Sequence, residues 1–331
     1  MRKLASIQKI KALTPIAGAD AIESASVLGW QLVVKKGEFA VGDLCVYCEI
    51  DSVLPDRPEF AFLKPRGMRI KTIRLRGQIS QGICFPLSVL PGEFEVAEGA
   101  DCTEALGVTK WEPAIPAYLS GQIKGGFPSR VPKTDETRVQ VLQPLLDQYA
   151  GETCYVTEKL DGSSVTYFVQ DGTFGVCSRN LELREDAQDS FWKVARALDV
   201  ERKLRSLGGN VALQGELVGQ GIQKNRLRLK GQTAYFFNLF DIDRYVFADY
   251  ERLRHTLQDL DLPMVPVLAN DYRLQNDVDA LVLMATTRSA LCPQVWAEGI
   301  VVRPVQERFD IQWGRVSFKA INPEFLLKHG V

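Results

Sequence analysis

The sequence predicts an α+β protein of two domains: a small OB-like β-barrel, then a larger domain of antiparallel sheets mixed with helices. Three observations lead there. At 331 residues the chain is long enough for two hydrophobic cores. Its first 115 residues read as short strands between Gly-, Pro- and Asp-rich turns, with no long helical period. Beyond residue 134, hairpins and helices alternate without the regular crossover units of a parallel sheet. The expected organisation is a barrel over 1–115, a linker over 116–133 and a second domain over 134–331.

In the barrel the strand candidates are GWQLVVKKG, GDLCVYCEID, RIKTIRLRG and GICFPL. The stretch from Trp111 to Lys133 is dense in Pro and Gly and reads as the connection between domains. Asp135, Glu136 and Thr137 then open a segment with Val139, Leu142, Leu146 and Tyr149 at helical spacing. TCYVTEKLDG reads as a strand, and SVTYFVQDGTFGVCSR as a hairpin turning at Asp171-Gly172. Helices are expected over about Asp186 to Leu207, near Tyr250 to Leu260 and near Asp277 to Leu291. The remaining strands are VALQGELVG, AYFFNLFDI, GIVVRP and RVSFKAI.

Composition excludes several classes of chemistry. Only His255 and His329 are present, and His255 falls in a helical surface pattern, so histidine catalysis has little to work with. The seven cysteines are scattered, and the one close pair, Cys45 and Cys48, lies in an apolar strand without the partners of a zinc site; buried reduced thiols are expected. No apolar run has the length of a membrane span or a signal-peptide core, so a cytoplasmic, membrane-free protein is expected. Lysine and carboxylates, with or without a bound metal, are left to do the chemistry.

A net charge of −1 gives no global attraction to a polyanion, so any nucleic-acid surface must be local. Two segments qualify. One, Lys64 to Arg76, carries Arg69, Lys71 and Arg74. In the other, Lys224 to Lys230, the cations Lys224, Arg228, Lys230 and Arg226 alternate with neutral residues, which would place all four on one face of an extended segment. A merely solvated strand face is the competing account of each.

The chemistry concentrates in an ordered set of short motifs. Glu158-Lys159-Leu160-Asp161-Gly162 puts a lysine at a strand end before a turn, where its amine can project into a cleft; to act as a nucleophile it must lose its proton. Behind it come Ser178-Arg179-Asn180, Gly215-Glu216-Leu217 leading into VGQGIQKN, the aromatic strand Phe237-Asn238-Leu239-Phe240-Asp241-Ile242, Glu298-Gly299-Ile300-Val301-Val302-Arg303, and Ser317-Phe318-Lys319.

Over Thr134 to Lys328 this order resembles the covalent nucleotidyltransferase superfamily of ATP-dependent ligases and capping enzymes, matching its motifs I, Ia, III, IIIa, IV and V. GELVGQGIQKN is similar to the RNA ligase branch. An OB-like module before the core, together with Lys110-Trp111-Glu112 and the run Pro132 to Arg138, resembles the Deinococcus/Naegleria type of RNA ligase. The resemblance implies an ATP-grasp-like ligase fold for the second domain.

It also implies roles. Lys159 attacks the α-phosphorus of ATP and carries AMP; Arg179 holds the ribose or a strand phosphate; Glu216 holds the ribose or metal-bound water; Glu298 holds the water around a catalytic Mg²⁺ or Mn²⁺; Lys319 contacts the α-phosphate. Phe240 is assigned to adenine stacking, with Phe236 and Phe237 as rivals; strict alternation puts Phe236 on the face of Phe240 and Phe237 on the other. Glu158 could read the adenine amine. Where the family often has K-x-K, Ser317 fills the first lysine position, leaving Lys328 or Lys224 as candidates for the second phosphate contact. The implied substrate is RNA with 5′-phosphate and 3′-hydroxyl ends, in nicked duplexes or as single strands, sealed by a monomer in RNA repair. The alternatives are a DNA ligase, a capping-type enzyme, and an RNA-binding protein without catalysis.

Overall fold

The computed structural model describes residues 3–112 and 122–330. The chain divides into two compact units, one of residues 1–114 with 323–331, the other of residues 115–322.

The first unit is built on five antiparallel strands, β1 (Ala5–Pro15), β2 (Ile22–Val27), β3 (Trp30–Lys35), β4 (Leu44–Cys48) and β5 (Ile83–Phe85), in the order β3-β2-β1-β4-β5. The longest, β1, falls in an N-terminal stretch whose lysines hide its pattern; Ala5, Ile7 and Ile10 are nevertheless buried. RIKTIRLRG contributes only the short strand Ile73–Leu75, paired with Gln78–Ser80. The core gathers Ile7, Ile10, Trp30, Leu32, Val46 and Tyr47. Cys45, Cys48, Cys84 and Cys102 are buried free thiols, as are the remaining three cysteines.

Among the described residues the second unit holds two large sheets and a two-stranded one, Phe309–Asp310 with Gly314–Arg315. A seven-stranded sheet runs β6-β11-β10-β9-β12-β13-β14, from β6 (Ile123–Gly126), β9 (Ser163–Gln170), β10 (Thr173–Cys177), β11 (Leu181–Leu183), β12 (Val211–Gly219), β13 (Gln232–Asp241) and β14 (Val246–Phe247). A five-stranded sheet runs β7-β17-β16-β8-β15, from β7 (Thr137–Arg138), β8 (Thr153–Lys159), β15 (Val267–Arg273), β16 (Gly299–Pro304) and β17 (Phe318–Ile321). All pairings are antiparallel except β7 with β17. The hairpin at Asp171-Gly172 forms as expected, with φ positive at both turn residues.

Several expected elements change on folding. Residues 116–121 of the expected linker lie outside the described residues; the rest of it is not a free tether, because β6 pairs with β11 and Val131 is buried among Phe168 and Phe240. The helix expected over Asp186 to Leu207 is two, Ser190–Ala197 and Val200–Ser206, broken where Asp199 takes φ 52°. The helical spacing after Thr137 resolves into β7, a 3₁₀ turn at Val139–Val141 and a short helix Gln143–Gln148. Helices at Tyr250–Asp259 and Val278–Ala285 appear near their expected places. The C-terminal helix Pro323–His329 groups with the first unit rather than the second. The four alternating cations of Lys224 to Lys230 do not form a strand at all: this is a loop with a 3₁₀ turn at Gln223–Asn225.

Candidate active site

Alternation along the five-stranded sheet separates a core face from a site face. Cys154, Val156, Ile300, Val302, Phe318 and Ala320 are buried together on one side. Thr157, Lys159, Val301 and Arg303 therefore point the other way, where Thr157, Lys159, Val301 and Arg303 line a common pocket. Pairing of Lys159 with Gly299 brings the preceding residue, Glu298, alongside the lysine, and Lys159 Nζ donates to Glu298 Oε2 at 2.7 Å. Pairing of Val301 with Lys319 adds the second lysine to this face, and the parallel bridge of β7 sets Arg138 beside it. Glycine at 299 is required by close approach: a Cβ there would lie 2.2 Å from the carbonyl oxygen of Ala320.

The seven-stranded sheet supplies the opposite wall. Glu216 of β12 enters the same pocket, which is completed by Thr134, Glu136, Glu158, Leu160, Phe237 and Val265. The turn after Lys159 is pressed onto β12, since a Cβ on Gly162 would meet the Leu217 carbonyl oxygen at 2.3 Å.

The aromatic assignment needs correction. Phe240 is buried with Val131, Phe168, Ala212 and Ile242, its ring edge-on to Tyr245 and Phe247, and does not line the pocket. Phe236 is buried in the core on the other side of the sheet. Phe237 lines the pocket. The reason is a bulge: Gln214 pairs with Asn238 but Gly215 with Phe236, so Phe237 is the extra residue, and alternation changes phase there.

The charges within the site are strongly coupled. Burial pulls the Lys159 ammonium down, but Glu298 and Glu216, the direct hydrogen bond and Asp161 outweigh it and hold its pKa above the ordinary lysine value. Burial, then the charges of Lys159 and Arg138, bring Lys319 down to about 7. Burial pushes Glu216 up to about 8; Lys159 opposes the rise, while Glu298 and Asp161 add to it. The depressed amine is thus Lys319, whereas Lys159 is held as an ammonium until its carboxylate neighbours are engaged elsewhere. Two such carboxylates call for a cation. Among the described residues no three His, Cys, Asp or Glu side chains are grouped to ligate a bare ion. Glu216 and Glu298, two acidic side chains beside Lys159, are a donor pair of the kind that grips a hydrated hard ion through its waters.

Glu158 is buried, and burial raises its pKa against hydrogen bonds from Ser289 and Ala290. Its Oε2 accepts from the Ala290 amide at 2.8 Å, while Oε1 has no hydrogen-bond partner. That oxygen is an acceptor without a donor in a pocket wall. Arg303, 2% exposed, donates to Glu136 Oε1 at 2.9 Å, and its Nε and Nη1 have no hydrogen-bond partner.

The other expected site residues fall into place or out of it. Arg179 is half exposed and ion-paired with Asp135. Ser317 is buried with its hydroxyl unpartnered. Arg138, rather than Lys328 or Lys224, is the cation that register sets beside Lys319. Sequence reading passed over Arg138 because a parallel bridge between positions so far apart leaves no local signal. Arg226 does not share a face with its neighbours: both Nη1 contacts to Asp161, with Oδ1 and Oδ2, are 2.7 Å. Lys224, Arg228 and Lys230 are exposed. In the first unit Arg69 is buried, paired with Asp51 at 2.6 Å and stacked 3.6 Å over Trp111, so it is structural rather than a free cation. Arg74 pairs with Glu324 at 2.7 Å, and Lys71 is half-buried.

Comparison with known proteins shows the family. The OB-fold domain family matches residues 4–87, and the RNA ligase family matches residues 152–321. No curated protein matches the chain. Among solved structures, a lysine-to-alanine mutant of Naegleria gruberi RNA ligase with ATP and Mn is 41% identical, with 99% of each chain covered and a TM-score of 0.91. A glutamate-to-alanine mutant of that enzyme with AMP and Mn has the same identity, coverage and TM-score. The same enzyme with PPi is 41% identical, with 100% of this chain and 99% of that one covered and a TM-score of 0.91.

Proposed function

The chain belongs to the RNA ligase family, and from that premise we propose that it seals RNA by passing AMP from ATP through Lys159 to a strand end. It is an ATP-dependent RNA ligase, an enzyme that joins RNA ends through a covalent AMP intermediate, with an OB-fold unit ahead of the ligase unit. The relatives bound to ATP, AMP and PPi represent the substrate and both products of nucleotide cleavage. The observation that carries the residue assignment is the convergence of Lys159, Glu216 and Glu298, with Lys319 on the same sheet face.

In the first step Lys159 Nζ releases its extra proton to solvent and attacks the α-phosphorus; a P–N bond forms and the P–O bond to pyrophosphate breaks. In the second, a 5′-phosphate oxygen attacks the same phosphorus, the P–N bond breaks, and the strand carries a 5′–5′ linked AMP. In the third, a 3′-hydroxyl attacks the strand phosphate and AMP departs. Each is an in-line displacement in which positioning and charge stabilisation do the work. Phe237 stacks on adenine, and Glu158 Oε1 accepts from its 6-amino group, an interaction that guanine, with an oxygen there, cannot make. Lys319 and Arg138 hold the α-phosphate and leaving pyrophosphate, and Arg179 the ribose or strand phosphate. Glu216 and Glu298 would hold Mg²⁺ or Mn²⁺ through water; such an ion neutralises phosphate charge.

The substrate ends are 5′-phosphate and 3′-hydroxyl, presented at breaks in RNA during repair. Lys224, Arg228 and, on the OB unit, Lys71 are the candidate contacts to RNA phosphates. One chain supplies every group named here, which supports a monomer. Among the described residues no helix is long and apolar enough to cross a membrane, and the seven free thiols support a reducing, cytoplasmic setting.

Incubation with α-labelled ATP and Mg²⁺ or Mn²⁺ should label the protein, and Lys159→Ala should abolish the label. Label surviving on that variant would remove the lysine from the reaction. The same preparation, given nicked RNA and matched nicked DNA, should seal the RNA; exclusive sealing of DNA would overturn the substrate assignment.

A further inference from the structure

Between β12 and β13 the chain makes a loop, residues 220–231, that closes on itself. The Gln220 amide donates to the Gly231 carbonyl at 2.8 Å, and Asn225 brackets the interior, donating from Nδ2 to the Leu229 carbonyl at 2.9 Å while its Oδ1 accepts from the Leu229 amide at 3.0 Å. Four non-glycine residues in it take positive φ: Gln223 at 43°, Lys224 at 62°, Asn225 at 46° and Arg228 at 56°. Each left-handed residue costs about 1–2 kcal/mol, so the shape persists only because other contacts dictate it.

Ile222 packs into the sheet core and Gln232 Nε2 donates to the Gln220 carbonyl at 2.7 Å, while two further contacts run to the turn that follows the nucleophile. Leu227 is buried with Leu160, the residue after Lys159. Arg226 makes its two-oxygen contact with Asp161, the next residue, and both side chains are 13% exposed. Lys224, Arg228 and Lys230 face outward and have no ion-pair partner among the described residues. The loop thus has an outer, cationic side suited to a polyphosphate backbone and an inner side locked to residues 160 and 161.

We infer that this loop is a sensor of the RNA strand: phosphates docking on Lys224, Arg228 and Lys230 are transmitted to the nucleophile's turn through the Arg226–Asp161 pair, making Arg226 a positioning residue for Lys159. This rests on the RNA ligase reading. Arginine matters because a single guanidinium nitrogen, Nη1, reaches both Asp161 oxygens and the planar group holds that orientation, which a freely rotating ammonium does not.

Hydrogen exchange tests it. Nicked RNA duplex without ATP should slow amide exchange in the intact protein over both 221–230 and 160–163. In Arg226→Gln the protection should remain over 221–230 and be lost over 160–163, with AMP transfer from the adenylylated enzyme to a 5′-phosphate slowed about tenfold or more at saturating RNA. Arg226→Lys keeps the charge without the planar guanidinium and should fall between the two. If Arg226→Gln does not melt as a folded protein, the Lys variant carries the comparison. Protection of only one segment in the parent, or of both in the variants at unchanged transfer rate, overturns the inference. A parent that neither takes AMP nor seals RNA instead fails the ligase reading itself.

Discussion

Lys159 and Lys319 share one face of one sheet, yet burial and neighbours set their amines apart. Glu298 and Glu216 hold Lys159 as an ammonium, while Lys319, crowded by Lys159 and Arg138, is brought down to about 7. Because its folded value lies below the ordinary 10.5 of the unfolded chain, its buried ammonium lowers stability fully below the folded value, and that loss fades as pH rises from about 7 towards 10.5. Lys319→Met should therefore melt higher than the parent near pH 6, with the gap narrowing by about pH 10, while adenylylation is lost; a gap that widens with pH would contradict this. The two phenylalanines part in the same way. Phe240→Ala removes a buried ring and should cost about 3–5 kcal/mol of stability with KM for ATP close to the parent's. Phe237→Ala should raise KM for ATP about tenfold with smaller loss of stability, measurable by steady-state AMP labelling alongside denaturant unfolding. The sequence displayed both rings but could not choose between them, since a single bulged residue reverses the phase.

At the scale of elements, the site is made by strand ends and by how closely two sheets approach. Lys159 ends β8, Glu298 directly precedes β16, and Glu216 lies within β12. The turn between β8 and β9 has no spare volume at Gly162. Gly162→Ala must shift either the turn or β12, and a displacement of about 1 Å should slow lysyl-AMP formation about a hundredfold, read from single-turnover labelling; parental rates would show that the turn adjusts freely. Strand positions were legible because alternating apolar residues mark a half-buried strand directly. Helix limits were less so. The break at Asp199 and the loop at 220–231 depend on residues in left-handed conformations, for which Asp199, Gln223 and Lys224 carry no glycine signal. The apparent period-two run of cations failed for a related reason: Arg226 has a part-buried partner 65 residues away.

Across the whole molecule, two units use the chain unequally. The C-terminal helix Pro323–His329, with Phe325 and Leu326 buried and Glu324 paired to Arg74, groups with the N-terminal strands. Removing residues 323–331 should speed amide exchange in Ala5–Pro15 and Leu44–Cys48 more than in Val211–Gly219; the reverse order would place the helix's contribution in the other unit. The expected organisation placed this helix in the second domain and Ile123–Gly126 in a linker, whereas contacts group the helix with the first unit and that strand with the second, because membership of a unit is fixed by contacts and not by position along the chain. The kinds of residue narrowed the chemistry to lysine and carboxylates with almost no histidine, and the order of the motifs carried the resemblance to nucleotidyltransferases that implied the reaction. Tertiary structure alone decided which side chains meet and in what charge state. Glu298 reaches Lys159 across 139 residues of sequence, and strand register, a bulge, burial and distant ion pairs are all set by parts of the chain that a local pattern cannot contain.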